Sequence, residues 1–501
     1  MKSLAILILL CLSIQMFVCK NETFDRNQRI LRELAETQET CLYVLLDAGS
    51  SSTKIRLYKS VCRRSSQIPQ LEALPIPKDK DNKDVFPDKI IVNKDAVALT
   101  EVDLNETAFT DHFNIAFKII SDMKQFYKFD VKPFLFLRAT AGLRQVPQQQ
   151  QEQILNLVRT VFRKQDSFYF LDDSWVKVIT GEEEGLFLWL SVNYAYQHIK
   201  HSNNQQFDIQ KTVAVIDIGG ASAQTAFYNT LNNKLIDLPE KTRIQIYSNT
   251  TLGYGNDRII ASILESTQTA SCFQKTDGFI GKVFNKNTKL EVFISKNKVD
   301  VTGNYDFVKC TNALLSIMKI TDCSYTEFNS EFNCSKSSIQ QKLTGQKQII
   351  GASSIFYAKS DLFKKLGKQG DTFKLKEFRE QVKDFCSEGL TQQSYQKKQF
   401  TTCLQMMWVS TFLIDGLGLL NDEVTAISKY NNYNIDWSLG SLIYDINTLQ
   451  CDYLDMNQCI DQITITDASN INKDGQTNNV FNNSLIINFS LLILVIANLL
   501  I

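Results

Sequence analysis

One pattern occurs twice in this chain, and it restricts the fold more than any other feature. The first copy is Leu42-Tyr-Val-Leu-Leu-Asp-Ala-Gly-Ser-Ser-Ser-Thr-Lys-Ile-Arg-Leu-Tyr58 and the second is Val213-Ala-Val-Ile-Asp-Ile-Gly-Gly-Ala-Ser-Ala-Gln-Thr-Ala-Phe227. Each copy is an apolar run, then Asp-x-Gly with small hydroxyl residues, then an alternating apolar run. That order reads as strand, tight turn, strand: a hairpin with a polar tip. Asp47 and Asp217 stand 170 residues apart (217 minus 47), which implies duplication of a lobe. The chain has 501 residues, more than one domain of roughly 100–200 residues usually holds, so two lobes are expected.

Between the copies, strands and helices alternate. Lys132–Leu137 reads as a buried strand running into Arg138-Ala-Thr-Ala-Gly-Leu-Arg144. Gln148–Arg163 carries helical spacing at Ile154, Leu157, Val161 and Phe162. Val176–Ile179 reads as a strand ending in Thr180-Gly-Glu-Glu-Glu-Gly185, and Leu186–Tyr194 as a helix. This alternation predicts an α/β architecture. Ser60–Asp95, with Pro69, Pro75, Pro77 and Pro87 among many Lys and Asp, reads as an exposed insertion.

Composition removes several function classes. Lys and Arg number 54, against 54 Asp and Glu, so no broad cationic surface is available for nucleic acid. Only His112, His198 and His201 are present, and no CxxC occurs, so a zinc site is not expected. Lys2 and the apolar run Leu4–Leu12, continued to Val18, read as a secretory signal over residues 1–19, with an uncleaved anchor as the alternative. Ten cysteines follow that segment, an even number suited to disulfides in an exported chain. Sequons at Asn21, Asn105, Asn249 and Asn333 agree with that route. Residues 463–484 read as a polar spacer and 485–501 as a charge-free tail. That pair suits a GPI signal cut near Ser469 or Gly475, or a short transmembrane helix. Membrane attachment at the cell surface or in an organelle lumen follows as the expectation.

A phosphate site needs backbone N–H groups at turns without side-chain obstruction. Asp47-Ala-Gly-Ser-Ser-Ser-Thr53 and Asp217-Ile-Gly-Gly-Ala-Ser222 supply two, and each aspartate could face a hydrated Mg²⁺ or Ca²⁺ between the lobes. A single such turn reads as an ordinary hairpin; two matched turns with matched aspartates favour phosphate. Hydrolysis also needs a carboxylate to activate water. Glu182, Glu183 and Glu184 are all candidates, and acidic residues opening a helix also suit its dipole. Spacing does not choose among the three.

Five segments, in order, resemble the signature regions of the apyrase-type ecto-nucleoside triphosphate diphosphohydrolases, in the actin/hexokinase-like superfamily. They are Asp47-Ala-Gly-Ser-Ser, Ala139-Thr-Ala-Gly-Leu-Arg144, Gly181-Glu-Glu-Glu-Gly185, Asp217-Ile-Gly-Gly-Ala-Ser222 and Trp437-Ser-Leu-Gly440. The resemblance implies two actin-like (RNase H-like) α/β lobes with the active site in the cleft between them. Residues 40–178 plus 433–462 would form the first lobe and 179–432 the second. It implies Glu184 as catalytic base and Ser222 as a holder of the attacking water. Asp47, Asp217 and Gln224 would hold Ca²⁺ or Mg²⁺ through water. Ser50, Ser51, Gly219, Gly220, Ala221, Thr140 and Arg144 would surround the phosphates, with a structural ion pair as the alternative for Arg144. Gly351-Ala-Ser-Ser-Ile-Phe-Tyr-Ala358 resembles a base-stacking segment, with Tyr357 as the stacking ring or a core residue beside Phe356. Trp437 is expected to brace the lobe interface.

Two departures stand out. Ser52 sits where many cell-surface members have His, and Leu188 replaces the usual Gly before Trp189. The resemblance also suggests the pairs Cys272–Cys310, Cys323–Cys334 and Cys386–Cys403, with Cys41–Cys62 across the first hairpin. The implied reaction is cation-dependent hydrolysis of the terminal phosphate of nucleoside di- or triphosphates. An exopolyphosphatase-like enzyme and an inactive nucleotide-binding surface protein are the rivals. Nucleotide preference and oligomeric state are not legible.

Overall fold

A computed structural model describes residues 40–62, 68–93, 95–199, 209–229, 234–238, 242–276, 281–285, 297–318, 343, 348–391, 397–451 and 464–467. The expected signal, the sequons at Asn21 and Asn333, the pair Cys323–Cys334 and the tail 485–501 lie outside these residues.

The first sheet contains β1 (Thr40–Ala48), β2 (Thr53–Val61), β3 (Glu72–Ala73), β6 (Phe134–Ala139) and β7 (Val176–Val178), in the order β3-β2-β1-β6-β7. A short hairpin, β4 (Ile91–Val92) and β5 (Asp95–Ala96), lies beside it. β1 runs antiparallel to β2 and parallel to β6. Helices α1 (Glu106–Phe126) and α3 (Gln148–Arg163) cover one face, with the short α2 (Ala141–Arg144) between them in sequence. Asn105 caps α1 by accepting from the Ala108 N–H. Phe109, Phe113, Phe117, Ile120 and Met123 then line its buried stripe.

Helix α4 (Gly181–Ala195) leads into the second sheet. That sheet holds β8 (Ala214–Ile218), β9 (Ser222–Tyr228), β10 (Lys234–Leu238), β11 (Thr242–Leu252), β14 (Ile349–Ser353), β15 (Thr372–Lys374), β16 (Glu423–Ala426) and β19 (Thr464–Asp467). Their order is β15-β16-β14-β8-β9-β11-β10-β19. Two separate hairpins are β12 (Gly281–Asn285) with β13 (Asn297–Val301), and β17 (Lys429–Tyr430) with β18 (Tyr433–Asn434). Helices α5 (Asn256–Leu264), α6 (Phe307–Ile317), α7 (Ser354–Leu366), α8 (Leu375–Ser387) and α9 (Lys397–Thr411) contribute to its outer core. The stretch read as a polar spacer therefore begins with an edge strand, β19, paired to β10.

Between the sheets lie α4 and α10 (Ser438–Cys451). Leu186, Phe187, Leu188, Trp189 and Leu190 are all buried, because α4 has apolar neighbours on every side. This middle core joins Leu45 and Phe136 of the first sheet to Val215 and Ile350 of the second. Trp437 is buried in it as well. Gly440 explains the last signature: a Cβ there would stand 2.0 Å from the Phe187 carbonyl oxygen, so only Gly lets α10 close on α4. The Gly440 N–H donates to Ser191 Oγ at 2.7 Å.

Ser60–Asp95 is not simply an exposed insertion. Ile68, Leu71, Leu74 and Ile90 are buried, and β3 joins the sheet at its edge. The Tyr194 hydroxyl accepts from the Leu71 N–H and donates to the Pro69 carbonyl, which ties the segment to the end of α4. A proline-rich charged stretch hides its few apolar anchors from a composition reading. Cys41–Cys62, Cys272–Cys310 and Cys386–Cys403 are disulfide-bonded, the first closing the open end of the β1–β2 hairpin.

Candidate active site

The two hairpin tips are built alike. The Gly49 N–H donates to the Ser52 carbonyl at 2.9 Å, and the Gly219 N–H to the Ser222 carbonyl at 3.0 Å. Asp47 pairs across its hairpin with Lys54, and Asp217 with Gln224. The tips also meet: a Cβ on Gly220 would lie 2.5 Å from Ser50 Oγ. Glycine at 220 is thus what allows the two turns to approach across the cleft. Ser51 and Ala221 complete the same tips, and the Thr140 N–H reaches the Ala48 carbonyl at 3.1 Å, which sets α2 against the first.

Structure separates the three glutamates. Thr180 caps α4 by accepting from the Glu183 N–H, and the Glu183 carboxylate accepts from the Thr180 N–H. Glu183 is therefore consumed by a capping box. Glu182 is half-buried and its backbone carbonyl accepts from Ser248 Oγ. Glu184 is buried. Its Oε2 accepts from Arg144 at 2.7 Å and from Gln224 Nε2 at 3.2 Å. Neither donor uses Oε1. Burial pushes the Glu184 carboxyl up to about 7, with Arg144 opposing and Asp217 and Asp47 adding to the rise. A carboxyl titrating near neutrality suits a general base.

Ser222 Oγ accepts from Gln224 at 2.6 Å and from Arg144 at 3.3 Å. With both lone pairs engaged, its proton is left to donate onward. Arg144 also donates to the Ile179 carbonyl at 2.9 Å, which fixes the guanidinium. The ion pair that Arg144 makes is with Glu184.

Asp217 Oδ1 and Gln224 Oε1 are buried with no hydrogen-bond partner among the described residues. Orphaned oxygens at this spot fit a hard cation that keeps its waters. Among the described residues, no three His, Cys, Asp or Glu side chains converge to hold a metal directly. Burial raises the Asp217 carboxyl, while the Ser353 hydroxyl and Lys54 oppose the rise.

Four residues with a place here carried no functional signal in the sequence reading. Lys54 Nζ donates to Asp47 Oδ2 at 3.2 Å. Arg56 donates twice to Asp436 Oδ2, at 3.1 and 2.9 Å. Burial alone would raise Asp436, but Arg56, Lys54 and Ser438 outweigh it and hold that carboxyl low. Ser353, at the end of β14, has φ 50° and ψ −115°, a strained backbone for a residue with a Cβ. Asp436 directly precedes Trp437 and could have been reached from that motif. The repeat offset points to Lys54, opposite Asp47. Ser353 lies in the Gly351–Ala358 segment, where attention fell on Tyr357 instead.

Tyr357 sits in the first turn of α7 with 59% of its surface exposed. Phe356 packs against the second-lobe core instead, with its ring 5.4 Å from Tyr357. Ser52 is buried in the first tip, and Leu188 fills the middle core.

Two sheets on either side of a shared helical layer, with paired phosphate-type turns facing a buried carboxylate, define a two-lobed phosphohydrolase architecture. The sequence profile of the GDA1/CD39 (nucleoside phosphatase) family matches residues 33–463, and the chain belongs to that family. It is 24% identical over 456 residues to the nucleoside-diphosphatase mig-23 of Caenorhabditis elegans, covering 82% of this chain and 78% of that one. It is 29% identical over 355 residues to probable apyrase 3 of Arabidopsis thaliana, covering 63% and 67%. Ectonucleoside triphosphate diphosphohydrolase 5 of Ailuropoda melanoleuca is 23% identical over 439 residues, covering 81% and 88%. A crystal structure of nucleoside triphosphate hydrolases from Neospora caninum shares the fold, with TM-score 0.58, 13% identity, and coverage of 87% and 98%.

Proposed function

We propose that this enzyme hydrolyses the terminal phosphate of nucleoside tri- or diphosphates, with a divalent cation, in the secretory pathway or at the cell surface. The carrying observation is Glu184, buried between Arg144 and Gln224 and linked through them to Ser222. Ionised Glu184 takes a proton from water oriented with Ser222. That water forms a bond to the terminal phosphorus as the bond to the bridging oxygen breaks. Products are inorganic phosphate and the shortened nucleotide, with no covalent intermediate.

The N–H groups of Gly219, Gly220 and Ala221, with Ser50, Ser51 and Thr140, cradle the phosphates. Asp47, Asp217 and Gln224 would hold Ca²⁺ or Mg²⁺ through water, and that ion, when bound, offsets phosphate charge. Exposed Tyr357 stacks on the base. Residues 40–178 with 433–462, and 179–432, serve as the lobes around the cleft. Among the described residues no helix is long and apolar enough to cross a membrane, and the tail read as an anchor lies outside them. The test is phosphate release from ATP, ADP, UTP and UDP with Ca²⁺ or Mg²⁺, beside polyphosphate. Turnover of polyphosphate alone, or wild-type turnover by Glu184→Ala, would sink the reading.

A further inference from the structure

The two tips share a backbone but not a filling. At the register position opposite Asp217 stands Gln224, a neutral amide. At the matching position opposite Asp47 stands Lys54, an ammonium. Its side chain is 41% exposed while that of Asp47 is 3% exposed, so a partly exposed lysine reaches onto a buried carboxylate. The contact is direct, 3.2 Å from Nζ to Oδ2. The charge of Lys54 also acts on Asp217 in the other lobe and on Asp436.

Asp47, Asp217, Asp436 and Glu184 thus lie in one network with Lys54, Arg56 and Arg144, and the Asp257 carboxylate lies beside Gly220. Arg56 is held by Asp436 and Arg144 by Glu184. Of these three cations, Lys54 is the one in direct contact with a turn aspartate.

We propose that Lys54 is a positioning residue for the cation site: a resident monovalent counter-charge on Asp47 that sets how tightly a divalent ion is held before nucleotide arrives. The inference rests on the reading of Asp47 and Asp217 as the carboxylates that hold the ion through water. A carboxylate already neutralised by an ammonium attracts a divalent cation less. Weak holding in the empty site makes the ion enter with the nucleotide, whose phosphates add the missing negative charge. The asymmetry between the tips is then functional. One lobe offers amide and carboxylate oxygen, and the other offers a charge that moderates them.

The test uses the full chain with disulfides intact, stripped with chelator and free of nucleotide. Ca²⁺ alone is titrated calorimetrically into wild type, Lys54→Gln (which copies the Gln224 tip), Lys54→Met and Lys54→Arg. Folding is checked by thermal melting, and nucleotide KM is measured in parallel. The expected result is Ca²⁺ binding at least about tenfold tighter in the Gln and Met variants, restored to wild type by Arg. Equal or weaker Ca²⁺ binding in folded Gln and Met variants would overturn it. Unfolding of both would also overturn it, because Lys54 would then be a structural ion-pair partner. If wild type releases phosphate and binds Ca²⁺ but the variants do not differ, this inference alone fails. If wild type binds no divalent ion at all, the reading of the aspartates fails with it.

Discussion

Glu184→Gln removes a carboxylate that burial holds well above its ordinary range, and its effect on stability can be worked out from the structure. Burial moves the Glu184 carboxyl from an ordinary 4.5 to about 7. Below pH 4.5 it is protonated folded or unfolded and contributes no pH dependence. Between 4.5 and 7 the unfolded chain loses the proton first, so folding becomes less favourable as pH rises. The full effect is about 3 kcal/mol above pH 7. His112 acts oppositely in nearly the same window. It is buried against Phe113 in the first-lobe outer layer, and burial lowers it from 6.5 to about 4. As pH falls through that range the unfolded chain gains the proton first, again for about 3 kcal/mol. The two slopes offset each other in wild type. Glu184→Gln removes the Glu184 slope, so the variant gains stability relative to wild type as pH rises from 4.5 to 7. The assay is urea unfolding of chelated protein at pH 4.5, 6 and 8, with disulfides intact. The stability gap between variant and wild type should widen in favour of the variant by about 3 kcal/mol from pH 4.5 to 8. Phosphate release should fall about 10²–10⁴-fold. A gap that does not change with pH would refute the burial argument, and retained turnover would refute the role of Glu184.

Arg144→Lys keeps the charge but cannot reach the Ile179 carbonyl, Glu184 and Ser222 together. Steady-state kinetics should show kcat down about 10–100-fold, the loss of one charged hydrogen bond, with a smaller change in KM. Ser353→Ala and Ser353→Gly both lose the hydroxyl that meets Asp217, and both should lose activity. Only the Gly variant relieves the positive φ, so it should unfold about 1 kcal/mol later than the Ala variant in denaturant. Gly440→Ala forces α10 off α4 and should destabilise by about 1–3 kcal/mol in thermal or urea melts. An unchanged midpoint there would show that the helices can separate without loss.

The duplicated hairpin, the helix Gln148–Arg163 and the strand at 134–139 were legible because their signals are local: turn residues at fixed offsets and apolar periodicity. The middle helix α4 was legible as a helix over Leu186–Tyr194 but not as one buried on all sides, since burial from two sheets at once removes the polar face that marks most helices. The same local patterning made Ser60–Asp95 look fully exposed, because Ile68, Leu71, Leu74 and Ile90 are few among charges and prolines.

By itself the sequence determined two matched Asp turns, an α/β alternation and a glutamate cluster opening a helix. Those depend on neighbours within a few residues. The resemblance had singled out Glu184, and tertiary structure supplied the physical distinction: the capping box takes Glu183 while Arg144 and Gln224, from elsewhere in the chain, converge on Glu184. Tertiary structure alone brought Arg56 to Asp436, 380 residues away, and Ser353 to Asp217. Long-range charge pairing leaves no periodic trace in a sequence, since either partner is equally at home on a solvated surface until the fold removes the water.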